Sequence, residues 1–221
     1  MQDGKHIVVA IDGPAASGKS SVARELARRL GFVYVNSGAI YRAVAWNILQ
    51  NEIDPRDQGA IERHVSGLQI RCDVRDHESL TLIGGVDPSD HLRDDAVNKN
   101  VSIISSLSRV REILVEKMRG YARDYDLVME GRDIGSVVFP ETRFKFYIDA
   151  SPEIRSRRRA AEGQSDEIAI RDRADSSRST SPLVIVEDAE VIDTSNLTIV
   201  QVVDEIVRRL KAKGLQIGSR P

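Results

Sequence analysis

Short apolar runs alternate with helical patterns along most of the chain. Residues 7–11 (IVVAI) are unbroken and mostly β-branched, which predicts a strand buried on both faces of a parallel sheet. From residue 20 to 30 apolar side chains recur every four positions, and Gly31 supplies a C-terminal stop, so this segment predicts a helix. A second apolar run at 32–35 completes a strand–helix–strand unit, which is typical of an α/β protein.

The remaining sheet and the last helix follow from the same patterns. Thr198 with Gln201 three positions later gives a capping box, and the apolar residues after it keep a helical period, so the final helix should begin there and cover the sheet. Three further short apolar runs, each followed by a polar residue, complete a predicted five-stranded parallel sheet: 127–129, 144–148 and 191–192.

Two segments do not fit this alternation of strand and helix patterns. Residues 68–74 alternate apolar and polar side chains, and residues 80–83 precede the breaker Gly84-Gly85, which predicts a small antiparallel insertion between about 54 and 101. Residues 160–182 are rich in Arg, Asp and Ser and carry almost no large apolar side chains. They cannot form a core, so we predict a mobile segment or a disordered loop there.

Composition and charge exclude several classes of protein. With 41% hydrophobic and 30% charged residues among 221, most of the chain should be globular. Lys and Arg number 32 against 34 Asp and Glu, a net charge of −2, which argues against a globally basic nucleic-acid binder. One cysteine, Cys72, and four scattered histidines give neither a disulfide nor a zinc spacing, so we expect a reducing, cytoplasmic location. The early apolar run is too short for a signal peptide or a membrane span, and we expect neither secretion nor membrane insertion.

A phosphate-binding loop is the clearest motif. Residues 13–20 (GPAASGKS) match G-x-x-x-x-G-K-[ST] and lie between a predicted strand and a predicted helix, as this motif requires; a chance match in an ordinary turn is the disfavoured alternative. Lys19 would reach the β- and γ-phosphates of a nucleoside triphosphate, and Ser20 would bind Mg²⁺. The residues predicted to contact ATP are Gly13, Pro14, Ala15, Ala16, Ser17, Gly18, Lys19, Ser20 and Ser21.

The loop alone does not say what is done with the phosphate, because GTPases, ATPase motors and small-molecule kinases share it. The chain lacks a guanine-reading Asn/Thr-Lys-x-Asp motif and a long strand ending in Asp-Glu. It instead carries arginines near the predicted strand ends and a basic run at 155–159. Taken singly, such arginines are most often solvated, but together at this edge of a parallel sheet they indicate a second, anionic substrate.

Three stretches resemble bacterial cytidylate kinases: residues 36–42 (NSGAIYR), 130–140 (EGRDIGSVVFP), and 171–178 (RDRADSSR) with Pro182-Leu183. With the phosphate loop and residues 193–195, the resemblance covers nearly the whole chain, and the eleven-residue middle motif is highly specific. The resemblance implies a nucleoside monophosphate kinase that transfers the γ-phosphate of ATP to CMP or dCMP with Mg²⁺. Its fold would be a P-loop kinase fold with a five-stranded parallel sheet flanked by helices.

The resemblance also implies a domain organisation. A monophosphate-binding insertion would span residues 54–101 and an Arg-rich lid residues 155–178. The core would comprise residues 1–53, 102–154 and 179–221. We expect a monomer that binds neither nucleic acid nor a membrane.

On the acceptor side, the resemblance implies roles for individual residues by position. The cytosine would face Ser102, Arg111 and Asp133. The phosphate of CMP would be clamped by Arg42, Arg132 and Arg178. The sugar would lie near Arg171 and Asp175, and Ser37 and Tyr41 would lie along the CMP pocket.

On the donor side, Arg155, Arg158 and Arg159 resemble lid arginines that close over the ATP phosphates, and which of them makes contact stays open. We expect Arg158 and Arg159 to bind ATP and take Glu130 as a water-mediated Mg²⁺ ligand, with a simple salt-bridge partner as the alternative. The residues expected to act in catalysis are Lys19, Arg132, Arg158 and Arg178.

Elementary chemistry agrees with these roles. The second pKa of a phosphomonoester is ~6, so the phosphate of CMP is largely ionised at neutral pH and needs no general base. Cytosine presents an N4 donor beside an N3 acceptor, so a carboxylate with an arginine fits cytosine and opposes uracil. The alternatives are a kinase for another small acceptor (UMP or dTMP), or a non-catalytic, nucleotide-dependent RNA-binding protein that uses the basic run at 155–159.

Overall fold

A computed structural model describes residues 6–161 and 181–216, together with residues 168, 172, 173 and 176. The strands are β1 (Val8–Asp12), β2 (Val33–Asn36), β3 (Ile70–Arg75), β4 (Glu78–Ile83), β5 (Leu127–Gly131), β6 (Phe144–Asp149) and β7 (Glu190–Asp193). The α-helices are α1 (Lys19–Leu30), α2 (Ser37–Gln50), α3 (Gln58–Ser66), α4 (Asp95–Ile104), α5 (Ser108–Tyr121), α6 (Pro152–Ala161) and α7 (Ile199–Ala212). A 3₁₀ turn covers Ser89–His91 and a π-helical turn covers Ile134–Val138.

The described strands form one sheet in the order β3-β4-β2-β5-β1-β6-β7, in which neighbours are parallel except for the β3–β4 hairpin. All five predicted parallel strands are present, so the α/β prediction is confirmed. The sheet has seven strands rather than five because the predicted antiparallel segment extends it. β4 pairs with β2 through Tyr34 and Glu78, which covers an edge of β2 that would otherwise expose unpaired backbone groups.

Apolar side chains alternate between the two faces of the sheet, as buried parallel strands require. Val9 and Ile11 of β1 pack with α1 and α7 on one face. Val8 and Ala10 pack with α2, α3, α4 and α5 on the other. The helix at the end of the chain has the predicted capping box at Thr198 and completes the first of these layers.

The segment from 54 to 101 contains α3 and most of α4 as well as the hairpin, so it is richer in helix than the alternating pattern indicated. The boundaries of an insertion and a lid stay a prediction, and most of the segment at 160–182 lies outside the described residues. Among the helices that the structure describes, none is long and apolar enough to cross a membrane.

The carboxyl ends of the parallel strands meet at one edge of the sheet, where open α/β sheets bind ligands. The loop after β1, the start of α2 and the turn after β5 all lie at this edge because their strands are neighbours in the sheet. This edge therefore brings the sequence motifs together.

Candidate active site

The phosphate loop of residues 13–18 joins β1 to α1. Gly13 lies so close to β6 that an added Cβ would be 2.1 Å from the carbonyl oxygen of Ile148. Gly18, at the N-cap of α1, has a φ of 90°, which favours glycine. The two glycines therefore allow the tight loop that leads into the N-terminus of α1, where backbone N–H groups and the helix dipole favour an anion.

Two polar side chains follow this loop at the start of α1. Lys19 is 7% exposed, and its Nζ donates to the carbonyl oxygen of Pro14 at 3.0 Å. The Ser20 hydroxyl donates to Oε1 of Glu130 in β5 at 2.8 Å. The Tyr34 hydroxyl donates to the same oxygen at 3.4 Å, and burial raises the pKa of Tyr34. A lysine ammonium, a serine hydroxyl and a buried carboxylate thus lie together at the loop.

The turn after β5 carries Arg132 and Asp133. Arg132 Nη1 donates to the carbonyl oxygen of Gly13 at 2.9 Å, which ties the turn to the phosphate loop. Asp133 pairs with Arg111 of α5, whose Nη2 donates to Asp133 Oδ2. Both members of this pair are 3% exposed, and Arg111 Nη1 also donates to the carbonyl oxygen of Ser105 at 3.1 Å. The structure therefore brings the predicted base-reading pair into direct contact.

The first turns of α2 lie beside this pair. Ser37 is buried against β5, since a Cβ on Gly131 would lie 2.4 Å from Ser37 Oγ. The guanidinium of Arg111 lies 5.4 Å from the centre of the Tyr41 ring. Tyr41 is thus next to Arg111, and Ser37 lies against Gly131, two residues before Asp133 in the chain.

Arg42 and Ser102 approach the same region from α2 and α4. Arg42 turns back toward the start of its helix, where a Cβ on Gly38 would lie 2.9 Å from its Nη1. Ser102 is half-buried in the last turn of α4, and its carbonyl oxygen accepts from the Ser105 hydroxyl at 3.3 Å. Because Ser105 also accepts from Arg111 through its own carbonyl, Ser102 lies near the predicted base-reading pair.

Arg158 reaches the phosphate loop from α6. Its Nη1 donates to the carbonyl oxygen of Ala16 at 3.3 Å, and its Nη2 donates to that of Thr194 at 3.0 Å. Thr194 is 3% exposed, and its hydroxyl donates to the carbonyl oxygen of Ser17 at 2.8 Å. Arg158 and Thr194 therefore close the side of the loop that faces β7.

Arg155 is the most buried arginine described on α6, at 5% exposure. Its Nε donates to the carbonyl oxygen of Ala150 at 3.0 Å, and its Nη1 approaches that of Ala15 at 3.4 Å. Its two terminal nitrogens also donate to the two carboxylate oxygens of Asp172, at 2.9 and 2.6 Å. Arg159 is half-buried on the same helix. Arg155 thus fixes Asp172 next to the phosphate loop.

A cavity of about 390 Å³ opens beside the loop, between α1, α6 and the start of α7. Gly18, Ser21, Arg158 and Thr194 contribute a polar side. The apolar side is formed by Ala16, Val22, Ala161, Leu197, Ile199 and Val202. A flat apolar ring attached to a phosphate chain matches this lining.

Comparison with known proteins decides the family. The family model described as cytidylate kinase matches residues 9–212. The chain belongs to the cytidylate kinase family. A cytidylate kinase of Pelotomaculum thermopropionicum is 42% identical over 217 residues, covering 92% of this chain and 96% of the relative. One of Mycobacterium leprae is 41% identical over 219 residues, covering 94% and 96%.

The family establishes the activity, and a solved structure agrees with the fold. The enzyme is a phosphotransferase that passes the γ-phosphate of ATP to CMP or dCMP. An uncharacterised protein from Eubacterium ventriosum has a crystal structure that is similar at a TM-score of 0.51. It is 14% identical, and the match covers 94% of this chain and 99% of that one, which supports the α/β fold alone.

Most of the predicted site residues that the structure describes have contacts at the loop or beside the Arg111–Asp133 pair, whereas Arg159 is placed only as a half-buried residue of α6. Arg171, Asp175 and Arg178 lie outside the described residues. Sequence reasoning left Thr194 and Tyr34 out of the site, although the position of Thr194 after β7 follows the rule for strand ends that pointed to the other loops.

Sequence reasoning also missed Asp12, the last residue of β1. Its carboxylate accepts from the backbone N–H groups of Ile134 and Gly135, each at 2.7 Å. Burial raises the pKa of Asp12 to about 6, against the lowering effect of these two hydrogen bonds. The available signal was a carboxylate placed directly before the loop motif.

Proposed function

We propose that ATP binds along the phosphate loop with Mg²⁺, and that CMP or dCMP binds in the pocket between α2, α5 and the turn after β5. The observation that carries this proposal is the hydrogen bond between Arg132 and Gly13, because it joins the pocket containing the Arg111–Asp133 pair to the phosphate loop. Phosphoryl transfer needs such alignment of donor and acceptor more than any covalent participation by the protein.

On the donor side, the loop N–H groups and Lys19 neutralise the ATP phosphates, and Arg158 adds positive charge from α6. The apolar side of the neighbouring cavity receives the adenine ring, with Leu197 and Ile199 among its lining residues. Lys19 and Arg158 act on charge that grows in the transition state, which is why we assign them to catalysis. Arg159 lies on the same helix and adds to the positive charge there.

The residues at the loop fit Mg²⁺. Ser20 and Glu130 place a hydroxyl and a carboxylate oxygen 2.8 Å apart beside the loop, and Mg²⁺ prefers oxygen ligands from one or two side chains, substrate phosphates and water. Ser20 would bind the ion directly and Glu130 through water. When bound, Mg²⁺ neutralises charge on the β- and γ-phosphates.

On the acceptor side, Arg132 and Arg42 hold the phosphate of CMP. A guanidinium grips a phosphate through two parallel N–H···O bonds, a geometry that lysine cannot supply. The attacking phosphate oxygen is already ionised, so these residues orient it and exclude water without removing a proton. Arg178, Arg171 and Asp175 are assigned to the phosphate and sugar of CMP from the resemblance alone.

Base recognition rests on Asp133 and Arg111. The Asp133 carboxylate accepts from the N4 amino group of cytosine, and Arg111 donates to N3 or O2. Ser102 faces the base, and Ser37 and Tyr41 line the pocket around it. With UMP the carboxylate would face a carbonyl oxygen, and each unpaired buried polar group costs about 1–3 kcal/mol.

A substitution of Arg132 tests this arrangement. Arg132→Lys keeps the charge but loses the two-pronged grip, so the KM for CMP should rise about tenfold while the KM for ATP changes by less than about threefold. Arg157→Lys, on the exposed face of α6, is the matched control and should leave both constants unchanged. A rise in the KM for ATP alone would place Arg132 on the donor side and contradict the proposal.

Three further properties remain proposals. The segments 54–101 and 155–178 move toward the core when both substrates bind, as an insertion and a lid. The enzyme is a cytoplasmic monomer. It binds neither nucleic acid nor membranes, and filter binding to RNA across a salt series separates it from a nucleotide-dependent RNA-binding protein. Hydrogen exchange with and without a bisubstrate inhibitor tests the movement of the two segments, and analytical sedimentation tests whether the enzyme is a monomer.

A further inference from the structure

Asp12 holds the turn that carries two residues of the acceptor pocket. It ends β1, is 7% exposed, and uses both carboxylate oxygens: Oδ1 accepts from Ile134 N and Oδ2 from Gly135 N, each at 2.7 Å. These two N–H groups begin the π-helical turn that follows Asp133. The carboxylate therefore restrains the backbone directly after the proposed base-reading residue.

The neighbouring residue restrains the other end of the same turn. The carbonyl oxygen of Gly13 accepts from Arg132 Nη1 at 2.9 Å. Two consecutive residues of β1 and the phosphate loop, Asp12 and Gly13, thus contact the segment 132–135 from its first residue to its last. The position of Arg132 and Asp133 relative to the ATP loop depends on this pair of contacts.

The turn is pressed closely onto the carboxylate. A Cβ on Gly135 would lie 3.3 Å from Asp12 Oδ2 and 3.2 Å from Cδ of Lys145, closer than side chains normally pack. Burial disfavours a charge here and raises the pKa of Asp12, while Lys19 lowers it and Asp133 raises it. A neutral residue would avoid this penalty, so stability alone is a poor reason for a carboxylate at this position.

We propose that Asp12 is a positioning residue for the acceptor nucleotide, which fixes the turn 132–135 so that Arg132 meets the phosphate of CMP and Asp133 meets its base. This inference rests on the proposed roles of Arg132 and Asp133. Asp12 itself does not touch the substrate. Its effect on the reaction passes through the backbone of Ile134 and Gly135.

The decisive variant is Asp12→Asn. Its amide keeps one acceptor oxygen but turns an NH₂ group toward a backbone N–H, so one of the two restraints is lost. We expect the KM for CMP to rise about tenfold and the ratio of kcat/KM for CMP over UMP to fall about tenfold. The KM for ATP should change by less than about threefold. A general loss of stability would affect both substrates, so it would not produce an effect confined to CMP.

Two companion variants make the result specific. Thr142→Val removes the 2.5 Å bond from Thr142 Oγ1 to the carbonyl oxygen of Val8, at the opposite end of β1, and should lower stability without changing the CMP to UMP ratio. Gly135→Ala keeps the carboxylate but pushes the turn away from it, so it should reproduce the effect of Asp12→Asn. It also decides the matter if Asp12→Asn does not fold.

The outcomes separate this inference from the proposed function. If Asp133→Asn lowers the CMP to UMP ratio but Asp12→Asn and Gly135→Ala leave both that ratio and the KM for CMP unchanged, the positioning role is wrong and the site assignment stands. If Asp133→Asn leaves the ratio unchanged, the role of Asp133 is wrong. In that case the KM of the Asp12→Asn variant for CMP decides whether Asp12 positions Arg132. A rise in this KM supports the positioning role, and an unchanged KM overturns it.

Discussion

Replacement of Asp133 by asparagine should reduce the preference for CMP over UMP. In the structure Asp133 is 3% exposed and pairs with Arg111, so water cannot replace a lost contact with the base. The asparagine amide can rotate and donate to the O4 oxygen of uracil, whereas it loses the charge-assisted bond to the N4 amino group of cytosine. CMP therefore loses a favourable contact and UMP loses a repulsive one.

The magnitude follows from the bond that is lost. A hydrogen bond to a charged group contributes about 1.5–3 kcal/mol, which corresponds to a fall of about ten- to a hundredfold or more in the ratio of the two kcat/KM values. Weakening the buried pair with Arg111 should also lower the free energy of unfolding by about 1–3 kcal/mol without changing the fold.

The assay is ADP formation with CMP or UMP varied at saturating ATP, for wild type and variant. Asp57→Asn is the matched control, because Asp57 is exposed and its side chain accepts from Ala60 N at the N-cap of α3, a position at which asparagine is equally suitable. The control should leave both kcat/KM values unchanged. Equal losses for CMP and UMP in Asp133→Asn would mean that the carboxylate only holds Arg111 in place, and would refute its role in base reading.

Three further predictions concern the loop and its supports. Lys19→Ala should abolish transfer while CMP binding, measured by calorimetry, stays nearly intact; turnover within about tenfold of wild type would contradict the assignment of the loop. Arg155→Met removes both bonds to Asp172, whose side chain is 30% exposed, and the bonds from Arg155 to the carbonyl oxygens of Ala150 and Ala15, so it should lower the free energy of unfolding by about 1–3 kcal/mol. The exposed Arg157→Met should cost less than about 0.5 kcal/mol, and equal values from urea titration would refute this prediction. The pKa of Asp12 is raised from 3.8 to about 6 in the folded state, so the folded protein retains a proton that the unfolded chain releases, and stability falls as pH rises through this window. The free energy of unfolding of wild type minus that of Asp12→Asn should accordingly decrease between about pH 4 and pH 7, and an increase would show the opposite sign of the shift.

The parts of the fold that the sequence predicts are those with a strong local pattern. The run at 7–11 is β-branched and buried, and Thr198 with Gln201 forms a capping box, so strand and helix appear where expected. Among the described helices that the sequence pattern did not predict, α2 is buried on several faces, with Ile40, Ala43 and Ala45 all at 0% exposure, and so shows no single apolar stripe.

The residues of the candidate site also differ in whether a local sequence pattern identifies them. The phosphate loop is one continuous stretch of sequence, so its motif can be identified without reference to any other part of the chain. The pairing of Arg111 with Asp133 spans 22 residues and two elements, and only the resemblance to a family indicated that both face one ligand. The contacts of Asp12 join its side-chain carboxylate to backbone N–H groups more than a hundred residues further along the chain. They depend on the alignment of β1 with β5, which no periodicity along the chain encodes.

The most direct test of the account is ADP formation from ATP in the presence of CMP, dCMP, UMP, dTMP or AMP in turn. We predict rapid transfer to CMP and dCMP, a kcat/KM for UMP lower by about tenfold or more, and negligible ADP formation without an acceptor. Transfer to UMP as efficient as transfer to CMP, or ADP formation that does not depend on any monophosphate, would contradict it.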